Sequence, residues 1–164
     1  MSTQTVVVGI DQSAASQSAL NWAADYARAT GATLHVVGVH PNWHAAMPYS
    51  VGVAGVPLLD QKSWDDADLV NLSAMFHSVR PETAWRLTQV DGDPGPQLVK
   101  AAKDASLLVV GTREHTGFDR FLEGSVSHYC LRHSPVPVVA VPASASAVVE
   151  TEFDPAMPVV PNPA

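Results

Sequence analysis

Short valine-rich runs alternate with longer stretches of helical periodicity along most of this chain, and that alternation restricts its fold more than any other feature. Thr5-Val-Val-Val-Gly-Ile10 is apolar at adjacent positions rather than at every second one, the form expected of a parallel strand buried on both faces. Ser13 to Thr30 then places Ala15, Ala19, Trp22, Ala23, Tyr26 and Ala27 near the i, i+3/i+4, i+7 spacing of an amphipathic helix, and Gly31 supplies the stop. Thr33 to Val39 repeats the strand signature and runs out at Pro41. Residues 42 to 59 are aromatic, Gly-rich and aperiodic, which predicts a long loop. A second helix is expected over Gln61 to Arg80, with Trp64, Ala67, Leu72, Met75, Phe76 and Val79 on its buried side and Pro81 closing it. Asp60, Asp65, Asp66 and Asp68 read as its solvated start, favoured there by the helix dipole.

The second half continues the pattern. Ala84 to Val90 alternates more and predicts a third strand nearer an edge; Asp91 to Pro96 is a turn feeding a helix from Pro96 to Ala105. Ser106 to Gly111 is a fourth, buried strand, followed by a polar loop from Thr112 to Glu123. Ser125 to His133 predicts a helix and Val136 to Val141 a last strand. Strand and helix alternating with short connections and right-handed crossovers give one α/β domain, a doubly wound, Rossmann-like, five-stranded parallel sheet with helices on both faces. The expected domain is residues 1 to 142. From Ala143 to Ala164 the chain is acidic and carries Pro155, Pro158, Pro161 and Pro163, so a disordered Pro-rich tail is expected there.

Composition removes several function classes. The 164 residues carry 16 acidic and 9 basic side chains, a formal net charge of -7 that argues against a nucleic-acid-coating surface. No apolar run reaches the roughly 18 to 20 residues of a membrane span, and Met1 to Thr5 shows no secretory signal, so a cytoplasmic protein that neither spans nor binds a membrane is expected. One cysteine, Cys130, forbids an intramolecular disulfide framework and reads as a core residue. Trp22, Trp64 and Trp85 read as packing residues, while Trp43 reads as lining a ligand pocket or a partner surface. Neither His40 with His44 nor His128 with His133 gains a third ligand at zinc spacing. There is no G-x-S-x-G elbow, no Walker G-x4-G-K-(S/T) and no early G-x-G-x-x-G, so these motifs assign no catalysis.

Ligands of open α/β sheets bind beyond the carboxyl ends of the strands, where strand order reverses. That directs attention to Asp11, His40 and the loop from Gly111 to Ser125. Asp11 either accepts from ribose hydroxyls or caps the following helix, a task Ser13 performs about as well. Gly111 either admits a ligand to the strand end or merely ends the strand. Gly124 and Ser125 either offer a helix start to an anion or form an ordinary cap. The segment from 111 to 133 balances Arg113, Arg120 and Arg132 against Glu114, Asp119 and Glu123, so its neutrality is compatible with one bound nucleotide.

Several separated landmarks together resemble the universal stress protein family: Val6-Val-Val-Gly-Ile-Asp11 with Ser13 and Ser16, Gly92-Asp-Pro94, Leu107-Leu-Val-Val-Gly111, Gly117-Phe118, Gly124-Ser-Val-Ser127 and Pro135-Val-Pro-Val-Val139. The likeness runs over about residues 5 to 142. It implies a stress-response sensor or chaperone-like module that binds an adenine nucleotide, ATP foremost, with or without Mg2+, and AMP or cyclic AMP as the alternatives. It also implies a homodimer formed through Val136 to Val141. By position, Gly9, Ile10 and Asp11 correspond to the segment bordering adenosine, with Asp11 on the ribose, and Val39 to the backbone site for adenine. Val110, Gly111 and Arg113 correspond to the end of the fourth strand, and Gly124, Ser125 and Val126 to the phosphate-binding helix start. One position departs. In the pattern G-x2-G-x9-G-(S/T) the second glycine is Glu114 here, with the spacing intact. A side chain there costs on the order of 1 to 2 kcal/mol if the backbone needs positive φ, and its charge adds repulsion toward phosphates of order 1 kcal/mol. Coordination of Mg2+ by Glu114 would invert that effect. The alternative reading is a dimeric interaction module of the same fold that has lost nucleotide binding.

Overall fold

The computed structural model describes the backbone of residues 4–40, 61–112 and 126–146, with side chains for all of these except 61–66, 145 and 146. Among the described residues five strands and four helices alternate: β1 (Thr5–Ile10), α1 (Ala14–Thr30), β2 (Thr33–His40), α2 (Gln61–Ser78), β3 (Arg86–Asp91), α3 (Pro94–Ala101), β4 (Leu107–Thr112), α4 (Val126–His133) and β5 (Val138–Pro142). All pairings are parallel and the order across the sheet is β3-β2-β1-β4-β5. The expected doubly wound α/β sheet is therefore the fold, and β3 lies at an edge as its alternation predicts.

Adjacent valines of β1 face opposite ways, which is why the strand is apolar throughout. Val6, Val8 and Ile10 join Leu34, Val36 and Val109 in a core covered by Leu20, Ala23 and Ala27 of α1 and by Leu72 and Phe76 of α2. Val7, Val37, Leu108 and Val110 form the second core with Leu98 and Ala102 of the α3 region and Cys130 of α4. Thus α1 and α2 cover one face and α3 and α4 the other.

Helix α1 starts at Ser13, whose Oγ accepts from the Ser16 N–H at 3.2 Å, and ends at Gly31 in the left-handed conformation, φ 70°. Apart from Leu20 its buried face is built from alanines and serines, so its backbone comes near the sheet. A Cβ on Gly111 would lie 2.6 Å from the Ala15 carbonyl carbon and oxygen and 2.9 Å from the Ser16 nitrogen. On the other face, a Cβ on Gly9 would meet the terminal methyls of Leu98 at 2.5 and 2.9 Å.

Several boundaries and burials differ from the sequence reading. α3 begins at Pro94, two residues earlier than expected, because Pro94 itself occupies the first turn where no N–H is needed. β5 begins at Val138 instead of Val136, the Ser134 hydroxyl having turned back to bond the Val136 carbonyl at 2.8 Å. Trp22 is 36% exposed and stacks on Tyr26 at 5.2 Å, and Ala67 is exposed; Trp85 is buried as expected. Leu72, Phe76 and the following Val79 form one i, i+4, i+7 face, and Ala67, five residues before Leu72, falls outside it. Ordered backbone also runs past residue 142: Ala143–Ser146 form a 3-10 turn against α1, where the Ser18 Oγ donates to the Ala143 carbonyl at 2.9 Å. The long loop, Trp43, and residues 147 to 164 lie outside the described residues. Among the described residues no helix is long and apolar enough to cross a membrane.

Candidate functional site

Chain direction places the reversal point. The connection through α1 carries the chain from β1 to β2, and the connection through α3 carries it from β3 across to β4 on the other side of β1. The order reverses between β1 and β4, so the carboxyl ends of β1, β2 and β4 form the crevice where a ligand of such a sheet binds.

Asp11 stands at its centre, directly after β1. Its N–H donates to the Ser16 Oγ at 2.6 Å and its Oδ1 accepts from the Ser13 N–H at 2.8 Å. The two readings of Asp11 therefore need not compete. One carboxylate oxygen closes the turn, Ser13 performs the helix capping, and Asp11 stays exposed with no partner for Oδ2 among the described residues. Gly9 and Ile10 reach this crevice by backbone, their outward directions being filled by Leu98 and by the α1–α2 core. Val39 is half-buried beside the α3 core, and Val110 is 2% exposed within it. Gly111 has a structural use independent of any ligand, because the first turn of α1 occupies the space of its missing side chain. Val126 opens α4 and is 36% exposed. Arg113, Glu114, Gly124 and Ser125 lie outside the described residues.

Three residues that sequence reasoning does not single out as functional also meet here. Gln12 donates from Nε2 to the Asp68 Oδ1 at 2.6 Å and accepts at Oε1 from the Asn71 Nδ2 at 3.4 Å. The Asp68 Oδ2 lies 3.6 Å from the His40 Nδ1. Asp68 is thus a tertiary contact, and the reading of it as one more solvated aspartate at a helix start is corrected. Fifty-six residues separate it from Gln12, so no local spacing announces the pair.

Elsewhere the titratable groups behave as structural residues. The His35 imidazole is held below its ordinary range by burial and, secondarily, by the Arg86 guanidinium. Arg86 can only donate, so the His35 Nδ1, 3.3 Å away, accepts and Nε2 carries the proton toward the Thr88 Oγ1 at 2.8 Å. Burial pushes the Cys130 thiol up to about 11, as befits a core residue. A groove of about 830 Å³ lined by Ser18, Asn21, Trp22, Asp25, Arg28 and Arg80 lies along the outer side of α1 toward its C-terminal end, away from the strand ends where the chemistry gathers.

Comparison with known proteins accords with this architecture. The model of the universal stress protein family matches residues 2–142. Universal stress protein Rv2623 of Mycobacterium tuberculosis is 34% identical over 146 residues, a match covering 83% of this chain and 46% of that protein. The chain thus spans about half the length of the curated relatives it matches. Among solved structures, a universal stress protein in complex with cAMP is 26% identical, with a TM-score of 0.59 over 87% of this chain and 99% of that one. UspA from Lactobacillus plantarum shares the fold at 21% identity, with a TM-score of 0.62 over 86% of this chain and 99% of that one. So does an Arabidopsis thaliana family member with AMP bound, at 20% identity and a TM-score of 0.55, covering 94% and 99%.

Proposed function

The chain belongs to the universal stress protein family, and from that premise we propose that it binds an adenine nucleotide across the carboxyl ends of β1, β2 and β4. The observation that carries this reading is the exposed Asp11 carboxylate at the reversal point of the sheet, with one oxygen held in the turn and the other without a described partner. A carboxylate so placed accepts from ribose hydroxyls, while the strand-end backbone at Val39 offers polar groups to a base edge. The relative that is 26% identical and holds cAMP supports the adenine class. ATP is the foremost ligand on the resemblance of Gly111, Arg113, Gly124, Ser125 and Val126 to a phosphate cradle, with Mg2+ as its companion. Glu114 at the second glycine of that pattern favours a second reading, in which the site holds AMP or cyclic AMP and tolerates a weakened triphosphate cradle.

The same proposal includes a homodimer joined along β5, an edge strand whose Val138 and Val139 are half-buried and whose outer side has no strand partner among the described residues. The module acts as a cytoplasmic sensor or chaperone-like domain in a stress response, with slow hydrolysis of ATP as the most it catalyses.

Calorimetric titration with ATP, ADP, AMP and cyclic AMP, each with and without Mg2+, tests the reading. Asp11→Asn keeps the acceptor for the Ser13 N–H and removes the charge. It should weaken every ribose-bearing ligand by about tenfold, the worth of one charge-assisted hydrogen bond at roughly 1.5 kcal/mol. No heat with any nucleotide would leave the interaction-module reading standing; equal affinity in Asp11→Asn would remove Asp11 from the ribose.

A further inference from the structure

Two of the three strand ends that make up the proposed site, those of β1 and β2, are joined from outside by one side chain. Gln12 directly follows Asp11, and His40 directly follows Val39. Both contact Asp68 of α2, Gln12 at 2.6 Å through Oδ1 and His40 at 3.6 Å through Oδ2. Asn71, one turn later, donates to the free oxygen of the Gln12 amide at 3.4 Å. The Gln12 amide is therefore oriented from both sides, its nitrogen against Asp68 and its oxygen against Asn71.

Elsewhere the described part of α2 packs through apolar side chains. Its buried side chains, Leu72 and Phe76, lie on the C-terminal side of Asp68. Leu69 and Val70, next to Asp68, are 46% and 66% exposed. Leu72 packs over Gly38 of β2, and among the described side chains the polar contacts of Asp68 add a second attachment one turn nearer the N-terminus of α2. His40 is also the ladder partner of Asp91 on β3, and the His40 carbonyl accepts from the Gly92 N–H at 2.9 Å, so the strand end it holds is itself anchored on its far side.

We propose that Asp68 is a positioning residue of the nucleotide site, its carboxylate tying Gln12 and His40 to α2 so that the ribose-side end of β1 and the base-side end of β2 keep a fixed separation. This inference rests on the proposed binding of an adenine nucleotide. It has a specific consequence. The clamp touches the ends of β1 and β2 and not β4 or α4, so its loss falls on the adenosine half of the ligand, whatever number of phosphates follows. A pure charge effect would do the reverse, since removing a carboxylate favours the ligand with most negative charge.

The test titrates the full chain with adenosine, AMP and ATP, with the melting temperature of each variant recorded alongside. Asp68→Ala should weaken all three by one common factor of about three- to tenfold, the worth of one exposed hydrogen bond and a longer contact with the His40 imidazole. Asp68→Asn, which keeps an acceptor for Gln12, should lose less. Gln12→Glu sets two carboxylates against each other and should weaken binding as much as Asp68→Ala. The double variant Gln12→Glu/Asp68→Asn restores the bond with its direction reversed, the amide now on α2 donating to the carboxylate now following β1, and should return affinity to within about twofold of the parent. Recovery of affinity in the double variant separates positioning from mere loss of fold. Unchanged affinity in Asp68→Ala, a double variant no better than Gln12→Glu, or a loss that varies with phosphate number overturns the proposal while leaving the site in place. A parent protein that binds none of the three ligands overturns the functional reading and this proposal with it.

Discussion

Substituting Gly111 by alanine tests whether the close seat of α1 on β4 is what holds the site's geometry. The added methyl would sit 2.6 Å from the Ala15 carbonyl carbon and oxygen and 2.9 Å from the Ser16 nitrogen, all backbone atoms of the first turn of α1. Backbone cannot rotate away as a side chain can, so the helix start must shift by several tenths of an ångström. Forced overpacking of this kind costs about 1 to 3 kcal/mol. For a domain of this size each kcal/mol moves the melting temperature by about 2 to 4 °C, so a fall of roughly 2 to 12 °C is expected.

Gly9→Ala is the control, because it adds the same methyl on the same sheet edge. There the obstacle is the pair of terminal methyls of Leu98, which a rotamer change can move. Its cost should stay near or below about 1 kcal/mol, offset in part by the loss of glycine's freedom in the unfolded chain. Urea denaturation of both variants, with equal slopes, gives the comparison directly. The Gly111 variant should also bind nucleotide more weakly, because the same turn of α1 carries the Ser16 Oγ that accepts from the Asp11 N–H. Gly111→Ala proving as stable as Gly9→Ala would refute the argument that α1 is seated against that glycine.

Two further outcomes follow from groups away from the site. The Cys130 thiol, fully buried and raised to about 11, should resist a disulfide reagent at pH 8 in the native protein and react promptly once urea unfolds it; rapid native reaction would contradict its place in the core. His35 is held below its unfolded value, so between the two values the unfolded chain binds more protons. Its contribution to stability is present above about pH 6.5 and is lost as pH falls through the lower folded value. Urea midpoints at pH 7.5 and 5.0 should differ less in His35→Gln than in the parent, and an equal difference would exclude His35 as a source of acid sensitivity.

How far the sequence discloses these features depends on whether the signal is local. The strands β1, β2 and β4 are legible because burial on both faces demands apolar residues at adjacent positions, and α1 because Ser13 and Gly31 mark both of its ends. Helix α2 is legible in existence and in its later buried residues. Its early half misleads, since Ala67 looks apolar yet faces solvent, and Asp68 looks like a solvated charge yet holds Gln12 and His40. Both errors have one origin: what a helix position touches depends on neighbours far away in the chain. Trp22 misleads for a related reason, its ring finding Tyr26 on the outer surface while alanines take the sheet side. At the crevice, Asp11 is identifiable from its isolation at a strand end, whereas the clamp across the ends of β1 and β2 leaves no trace in spacing.

The position of β1 in the sheet bears on how the chain is made. β1 pairs with β2 within the first 40 residues, but its other edge pairs with β4, Val6 lying opposite Leu107. At a synthesis rate of roughly 5 to 20 residues per second, several seconds pass between the appearance of β2 and that of β4. During that interval a strand apolar on both faces presents an open row of backbone donors and acceptors on the growing polypeptide. A ribosome stalled between those two strands would carry a sticky sheet edge, and the open edge then passes to β4 until β5 emerges to pair with it.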